Sequence, residues 1–149
     1  MNVGFSSSSV DYLSVRLKLL SPNQKKVILM VDEVYASQRV EYLRGRMAGQ
    51  EGGRITKTLL VLMNKSVCSK YQDTVAMYPI GCLNSSVLYD LLLQINTELF
   101  KIGFDVVAIS MDNASPNRKC FLAMCLKSYK ARTRTIPPFL IKILEYSKL

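Results

Sequence analysis

The stretch VILMVDEVYA, residues 27–36, places Asp32 and Glu33 inside an apolar run that is typical of a buried strand. A second stretch, VVAISMDNASPNR at residues 106–118, ends an apolar run on Asp112. A strand that follows a helical crossover tends to lie parallel to the earlier sheet. If the second stretch pairs with the first in this way, Asp32 and Asp112 become neighbours on adjacent strands.

The segments between and around these two strands predict an α/β fold. Asn84 or Ser85 is a suitable N-cap for a long helix with 3.6-residue periodicity, and Gly103 is a natural stop. Ser115 as N-cap and Pro116 at the first helical position predict a second helix. We predict an amphipathic helix within 11–20, strands at 27–35, 56–67, 73–81 and 105–111, a strand or hairpin arm within 40–53, and helices at 85–102, 115–125 and 139–149.

The composition excludes several classes of site. The chain has 149 residues, 49% of them hydrophobic, which suits one folded domain. It has four cysteines without a CxxC pair and no histidine, so Ser-His-Asp catalysis and histidine-ligated zinc are excluded. No apolar stretch approaches the ~20 residues of a membrane span. No signal-peptide core is evident at the start, so we expect an intracellular protein without a membrane partner.

Positive charge is concentrated towards the carboxyl end. The net charge is +9, and no acidic residue occurs between 113 and 144. Such a segment suits a phosphate backbone, although a solvated helix face and tail would have the same composition. Seven basic residues lie in it: Arg118, Lys119, Lys127, Lys130, Arg132, Arg134 and Lys142.

Two carboxylates on adjacent strands require compensation. At about 4 Å they repel by roughly 4 kcal/mol at an effective dielectric near 20, so a proton or a divalent cation is needed between them. Oxygen-only ligation favours Mg²⁺ or Mn²⁺. Alternatively, Asp112 is a turn former, since turn residues follow it. Glu33 faces away from Asp32 in a regular strand, and we predict that it pairs with a basic side chain.

Five segments in order, ILMVDEVYAS, YLRGRMAG, TLLVLMNKSV, VAMYPIG and GFDVVAISMDNASPNRKCF, resemble P-element-type transposases, including relatives with an N-terminal THAP DNA-binding domain. The resemblance covers roughly residues 11 to 126 and is to their RNase H-like catalytic domain. It implies a mixed sheet, with strands 1 to 3 antiparallel and strand 4 parallel to strand 1, flanked by helices.

The resemblance also implies a function, which is a DDE/D-type core that cuts and joins DNA with divalent ions. The first two acids of the family match Asp32 and Asp112. The stretch after the second acid matches Asn113, Asn117 and Arg118, which we expect to support the site. The resemblance thus implies a nuclear, DNA-binding transposase, with Mg²⁺ or Mn²⁺ as cofactor and self-association in a longer parent protein.

The sequence departs from this family in two respects. The family takes a third acid from a helix far downstream, whereas Glu145 is the only acid after Asp112 and is too close to it. The THAP module needs a zinc-binding histidine, which is absent. We therefore expect an incomplete catalytic core: a mobile N-terminus with a short helix at 1–26, a partial RNase H-like domain at 27–130 and a basic tail with a short helix at 131–149.

Two alternatives remain open at the level of sequence. The chain could be a catalytically inactive, transposase-derived remnant that binds DNA or a protein partner through the basic segment. A nucleotide-binding α/β protein is a weaker alternative, because no glycine-rich phosphate loop follows any of the predicted strands.

Overall fold

A computed structural model describes residues 4–35, 41–43, 46–48, 50–51, 54–55 and 58–131, with side chains for 4–35 and 58–125. The helices are α1 (Ser7–Lys18), α2 (Ser85–Ile102) and α3 (Ser115–Ala131). The strands are β1 (Lys26–Tyr35), β2 (Glu41–Leu43), β3 (Arg46–Ala48), β4 (Gln50–Glu51), β5 (Arg54–Ile55), β6 (Thr58–Ser66), β7 (Gln72–Ile80) and β8 (Asp105–Met111).

The main sheet has four strands in the order β7-β6-β1-β8. β1 pairs antiparallel with β6, β6 pairs antiparallel with β7, and β8 pairs parallel with β1. The predicted mixed sheet is therefore confirmed, and Pro79 lies on an edge strand as predicted. The predicted hairpin region contains two short antiparallel pairs, β2 with β3 and β4 with β5.

One face of the sheet carries the core. In β1 the buried residues alternate, so that Val27, Leu29 and Val31 point to one face while Met30 is half-buried on the other. The buried side chains of α2 pack into the same hydrophobic cluster as the buried face of β1, namely Leu88, Leu92, Ile95 and Leu99. Helix α2 thus covers this face, as its periodicity predicts.

Local signals set the ends of α2. The side chain of Asn84 accepts a hydrogen bond from the Val87 amide at 2.9 Å, which makes Asn84 the N-cap. Gly103 ends the helix with a φ of 114°, in the left-handed region that favours glycine. Both predicted ends are confirmed.

The N-terminal helix begins earlier than predicted. We predicted a helix within 11–20, but Ser6 is the N-cap of α1 and the following serines form its first turn. The helix is held to the sheet by Leu13, which is buried in the core, and by Asp73 of β7. Asp73 accepts hydrogen bonds from the Tyr12 hydroxyl at 2.9 Å and from Arg16 Nε at 3.1 Å.

The start of α3 also differs slightly from the prediction. The helix begins at Ser115, and the carbonyl of Ala114 accepts a hydrogen bond from the Arg118 amide. Ser115 is therefore the first helical residue and not the N-cap. The predicted helix at 139–149 lies outside the described residues, and no helix in the described part of the chain is long and apolar enough to cross a bilayer.

Candidate metal centre

The two predicted acids follow directly on the last pair of the parallel ladder between β1 and β8. Val31 is paired with Met111, and the next residue of each chain segment is Asp32 and Asp112. Neighbouring strands lie roughly 4.8 Å apart, so the two aspartates are neighbours at the same end of the β1–β8 pair. Both residues are exposed to solvent. The structure thus brings Asp32 and Asp112 together, while their role as metal ligands remains a prediction.

Asp112 makes hydrogen bonds through one of its two carboxylate oxygens. Its Oδ1 accepts a hydrogen bond from the Ala114 amide at 3.0 Å and a second from Asn117 Nδ2. The first bond forms a turn that leads from β8 into α3, as the turn-former interpretation of Asp112 predicts. Oδ2 has no hydrogen-bond partner among the described residues, so the structural role of Asp112 leaves one oxygen for a ligand.

Asp32 is arranged similarly. Its Oδ1 accepts a hydrogen bond from the Glu33 amide at 2.9 Å, and within the described ranges its Oδ2 has no partner. Among the described residues, each carboxylate therefore presents one oxygen without a hydrogen-bond donor, at the carboxyl ends of the paired stretches of β1 and β8. Exposed carboxylate oxygens are suitable ligands for Mg²⁺ or Mn²⁺, which keep part of their water shell.

Glu33 lies on the other face of β1 from Asp32, as predicted from the alternation of the strand. It pairs across the ladder with Leu60, which is part of the core, and is itself half-buried. The predicted basic partner is not found within the described residues. Instead, burial raises the pKa of Glu33, and the negative charges of Asp112 and Asp32 raise it further.

Glu33 does not complete a metal site with the two aspartates. In the part of the chain that the structure describes, no three carboxylate or cysteine side chains are grouped closely enough to hold a metal ion. The candidate site is therefore a pair of carboxylates that needs further ligands from water or from a bound molecule.

The basic residues predicted to bind DNA are associated with α3. Arg118 and Lys119 are exposed near its N-terminus, close in sequence to Asp112, and Arg118 donates to the Asn113 carbonyl at 3.2 Å. Lys127 and Lys130 lie in the last turns of α3. Arg132 and Arg134 lie outside the described residues.

Sequence reasoning missed the role of the Ala114 amide and the specific bond that Asn117 makes. Asn117 is buried, with an exposure of 4%, although it lies only two residues into α3. An asparagine near the N-terminus of a helix is common, because it caps or forms turns, so its identity alone does not indicate burial. The resemblance implied that Asn117 supports the site, but it indicated neither the burial of this side chain nor its bond to Asp112.

The family of TNP-like RNase H N-terminal domains matches residues 1–125, which is most of the chain. The chain therefore belongs to this family. The matched range includes the residues of α1. No curated protein sequence matches the chain.

Among solved structures, the strand transfer complex of the Drosophila P element transposase superposes with a TM-score of 0.62 at 17% identity, covering 83% of this chain and 26% of that one. Two Mos1 complexes are less similar. The mariner paired end complex with Mn has a TM-score of 0.43 at 16% identity, covering 94% of this chain and 42% of that one.

The Mos1 strand transfer complex has a TM-score of 0.41 at 14% identity, covering 94% of this chain and 41% of that one. The likeness to the P element transposase shows a shared RNase H-like fold. The chain spans about a quarter of the length of that transposase chain.

Proposed function

We propose that this member of the family contributes the first two metal-binding acids, Asp32 and Asp112, to a transposase-type catalytic core that cuts and joins DNA. One observation carries the proposal: the parallel ladder between β1 and β8 ends immediately before both acids. Asp32 lies in β1 and Asp112 directly follows β8, so the pairing of these two strands anchors the backbone of both acids. A rigid support of this kind suits a site that must hold a cation against a substrate.

The donor set fits a hard divalent cation. When bound, Mg²⁺ or Mn²⁺ at such a site activates a water or hydroxyl nucleophile and stabilises the leaving oxygen of a phosphodiester. Among the described residues, Asp32 and Asp112 each offer one oxygen without a hydrogen-bond partner, so water and substrate phosphate would supply the remaining ligands. The Mos1 mariner paired end structure is a complex with Mn. For the present chain, the use of a divalent metal is proposed only from its own two carboxylates.

Two carboxylates alone should hold the cation weakly. Mg²⁺ gives up its waters reluctantly, and tight binding requires further acids or substrate phosphates. Among the described residues, no group of three potential metal ligands exists that would include the third acid implied by the family resemblance. We therefore expect the 149-residue chain to bind Mn²⁺ or Mg²⁺ only at high concentration and not to cleave DNA by itself.

The metal site is tested by Mn²⁺ titration of the isotope-labelled chain, with paramagnetic broadening of backbone resonances as the measurement. We expect broadening centred on Asp32, Asp112 and their neighbours, because Mn²⁺ would lie between the two carboxylates. Asp32→Asn and Asp112→Asn should each abolish this pattern. Glu33→Gln is the matched control, since it removes an adjacent carboxylate that faces the other side of β1, and its pattern should remain. Equal broadening in Asp32→Asn and in the unmodified chain would refute the proposal.

A second candidate function is binding of DNA without cleavage, as in a transposase-derived remnant. The observation that favours it is the exposure of Arg118 and Lys119 near the N-terminus of α3. Charged side chains and the positive end of the helix dipole both attract phosphate there. Both candidates predict DNA as the partner and nuclear localisation, and they differ in whether the carboxylate pair is used.

The DNA interface is tested by the salt dependence of binding. Each phosphate contact contributes about 0.9 units to the slope of log K against log salt, so reversing four contacting charges should flatten the slope by roughly 3 to 4 units. The test variant carries Arg118→Glu, Lys119→Glu, Lys127→Glu and Lys130→Glu, which all lie on α3.

A matched control reverses four exposed lysines outside α3 and so changes the net charge equally. If both variants flatten the slope alike, binding follows the net charge and no interface exists at the basic segment. If neither does, the segment is merely solvated. The control substitutions are Lys18→Glu, Lys26→Glu, Lys65→Glu and Lys70→Glu.

A further inference from the structure

Asn117 has an unusual hydrogen-bonding environment. Its side chain is 4% exposed, and its Nδ2 donates to Asp112 Oδ1. Its own Oδ1 is completely buried and has no hydrogen-bond partner among the described residues. The amide therefore makes a single identified polar contact, and that contact is with one of the two candidate metal ligands.

A buried amide with an unpaired oxygen lowers stability, because the oxygen loses its bonds to water and gains none from the protein. An apolar side chain of similar size would avoid this cost. The contact with Asp112 also decides which way the amide is turned. If the amide were reversed, its oxygen would face the carboxylate oxygen, and two acceptors would oppose each other. The orientation of Asn117 is thus set by its donation to Asp112 Oδ1.

We infer that Asn117 is a positioning residue for the metal site, an inference that rests on the function proposed above. Together with the Ala114 amide, it occupies Oδ1 of Asp112 and so limits the rotation of the carboxylate. Oδ2 is then the oxygen of Asp112 that ligates the cation. Asn117 itself does not touch the cation, and it acts only through the orientation of Asp112.

The consequence for metal binding follows from the geometry that the cation requires. Mg²⁺ demands near-octahedral ligands, and a carboxylate that rotates freely spends little time in the required orientation. Loss of a hydrogen-bond partner of a ligand typically lowers metal affinity by about 10- to 100-fold. We expect the lower end of this range here, because the Ala114 amide remains as a second donor to Oδ1.

The test compares Asn117→Ala with Asn64→Ala in the full chain. Asn64 is the matched control, because it is fully buried in β6 and neither polar atom of its side chain has a partner within the described residues. Both substitutions remove a buried, poorly paired amide, so their effects on the melting temperature are similar in kind. Only Asn117→Ala should weaken Mn²⁺ binding, by about tenfold, as measured by the broadening of resonances near Asp32.

A second measurement does not depend on whether a variant folds. Mg²⁺ is titrated into the unmodified chain while the side-chain amide resonances of Asn117 and Asn64 are followed. We expect those of Asn117 to shift, since its partner carboxylate changes charge density on binding, and those of Asn64 to stay constant.

The outcomes separate this inference from the proposed function. If Asp32→Asn leaves Mn²⁺ broadening unchanged, the proposed function fails and the inference fails with it. If the aspartate variants lose binding but Asn117→Ala binds Mn²⁺ as tightly as the unmodified chain, only the inference is overturned. A silent Asn117 side chain in the Mg²⁺ titration also overturns it. Weakened binding in Asn64→Ala to the same extent would show a general effect of stability and would equally refute a specific role.

Discussion

The N-terminal helix α1 should be part of the cooperative folding unit, and Leu13→Ala tests this. Leu13 is 0% exposed and belongs to the same core cluster as the buried faces of β1 and α2. A Leu→Ala change at a fully buried site costs about 2 to 5 kcal/mol. For a chain of this length each kcal/mol lowers the melting temperature by roughly 2 to 4 °C. We therefore expect a central loss near ~3 kcal/mol, or roughly 9 °C.

Thermal unfolding followed by circular dichroism provides the measurement, and Val15→Ala provides the control. Val15 lies on the same helix but is 58% exposed, so its loss should change stability by less than about 0.5 kcal/mol. A Leu13→Ala protein that melts like Val15→Ala would refute the reasoning. In that case α1 would not share the core, and the predicted division of the chain after residue 26 would be supported instead.

Two further predictions concern single residues. Gly103→Ala should lower the free energy of unfolding by about 1 to 3 kcal/mol. The reason is that φ is 114° and that the new Cβ would lie 3.0 Å from Leu17 Cδ2. An unchanged melting temperature in Gly103→Ala would contradict the expected loss of stability. In the folded chain, burial raises the pKa of Glu33 above its usual value of 4.5, and the charges of Asp112 and Asp32 raise it further. The protonated form is therefore favoured in the folded state, and this contribution to stability is lost as pH rises through the raised pKa. In chelator-containing buffer, Glu33→Gln should therefore raise the melting temperature at neutral pH but not below pH ~4, and a difference independent of pH would contradict the assignment.

Local patterns were sufficient for most of the helices and strands. The ends of α2 could be predicted because Asn84 and Gly103 act on their own neighbouring backbone groups, through a capping bond and a left-handed conformation. The strand β1 could be predicted because an apolar run of its length suits a buried strand. The start of α1 was predicted too late because the apolar periodicity begins after the serines, whereas Ser6 supplies a cap and Leu13 supplies burial in the core.

What the sequence by itself determined is the presence of one acid at the end of each of two apolar strands, because strand patterns and acidic residues are local features. The tertiary structure decided that these two acids are neighbours, since the parallel pairing of β1 with β8 depends on the crossover through α2. It also decided the surroundings of each carboxylate. The negative charges of Asp112 and Asp32 act on Glu33, which has no basic partner among the described residues, and Asn117 donates to Asp112. Such contacts join residues on different elements, and their geometry is set by the packing of those elements against one sheet.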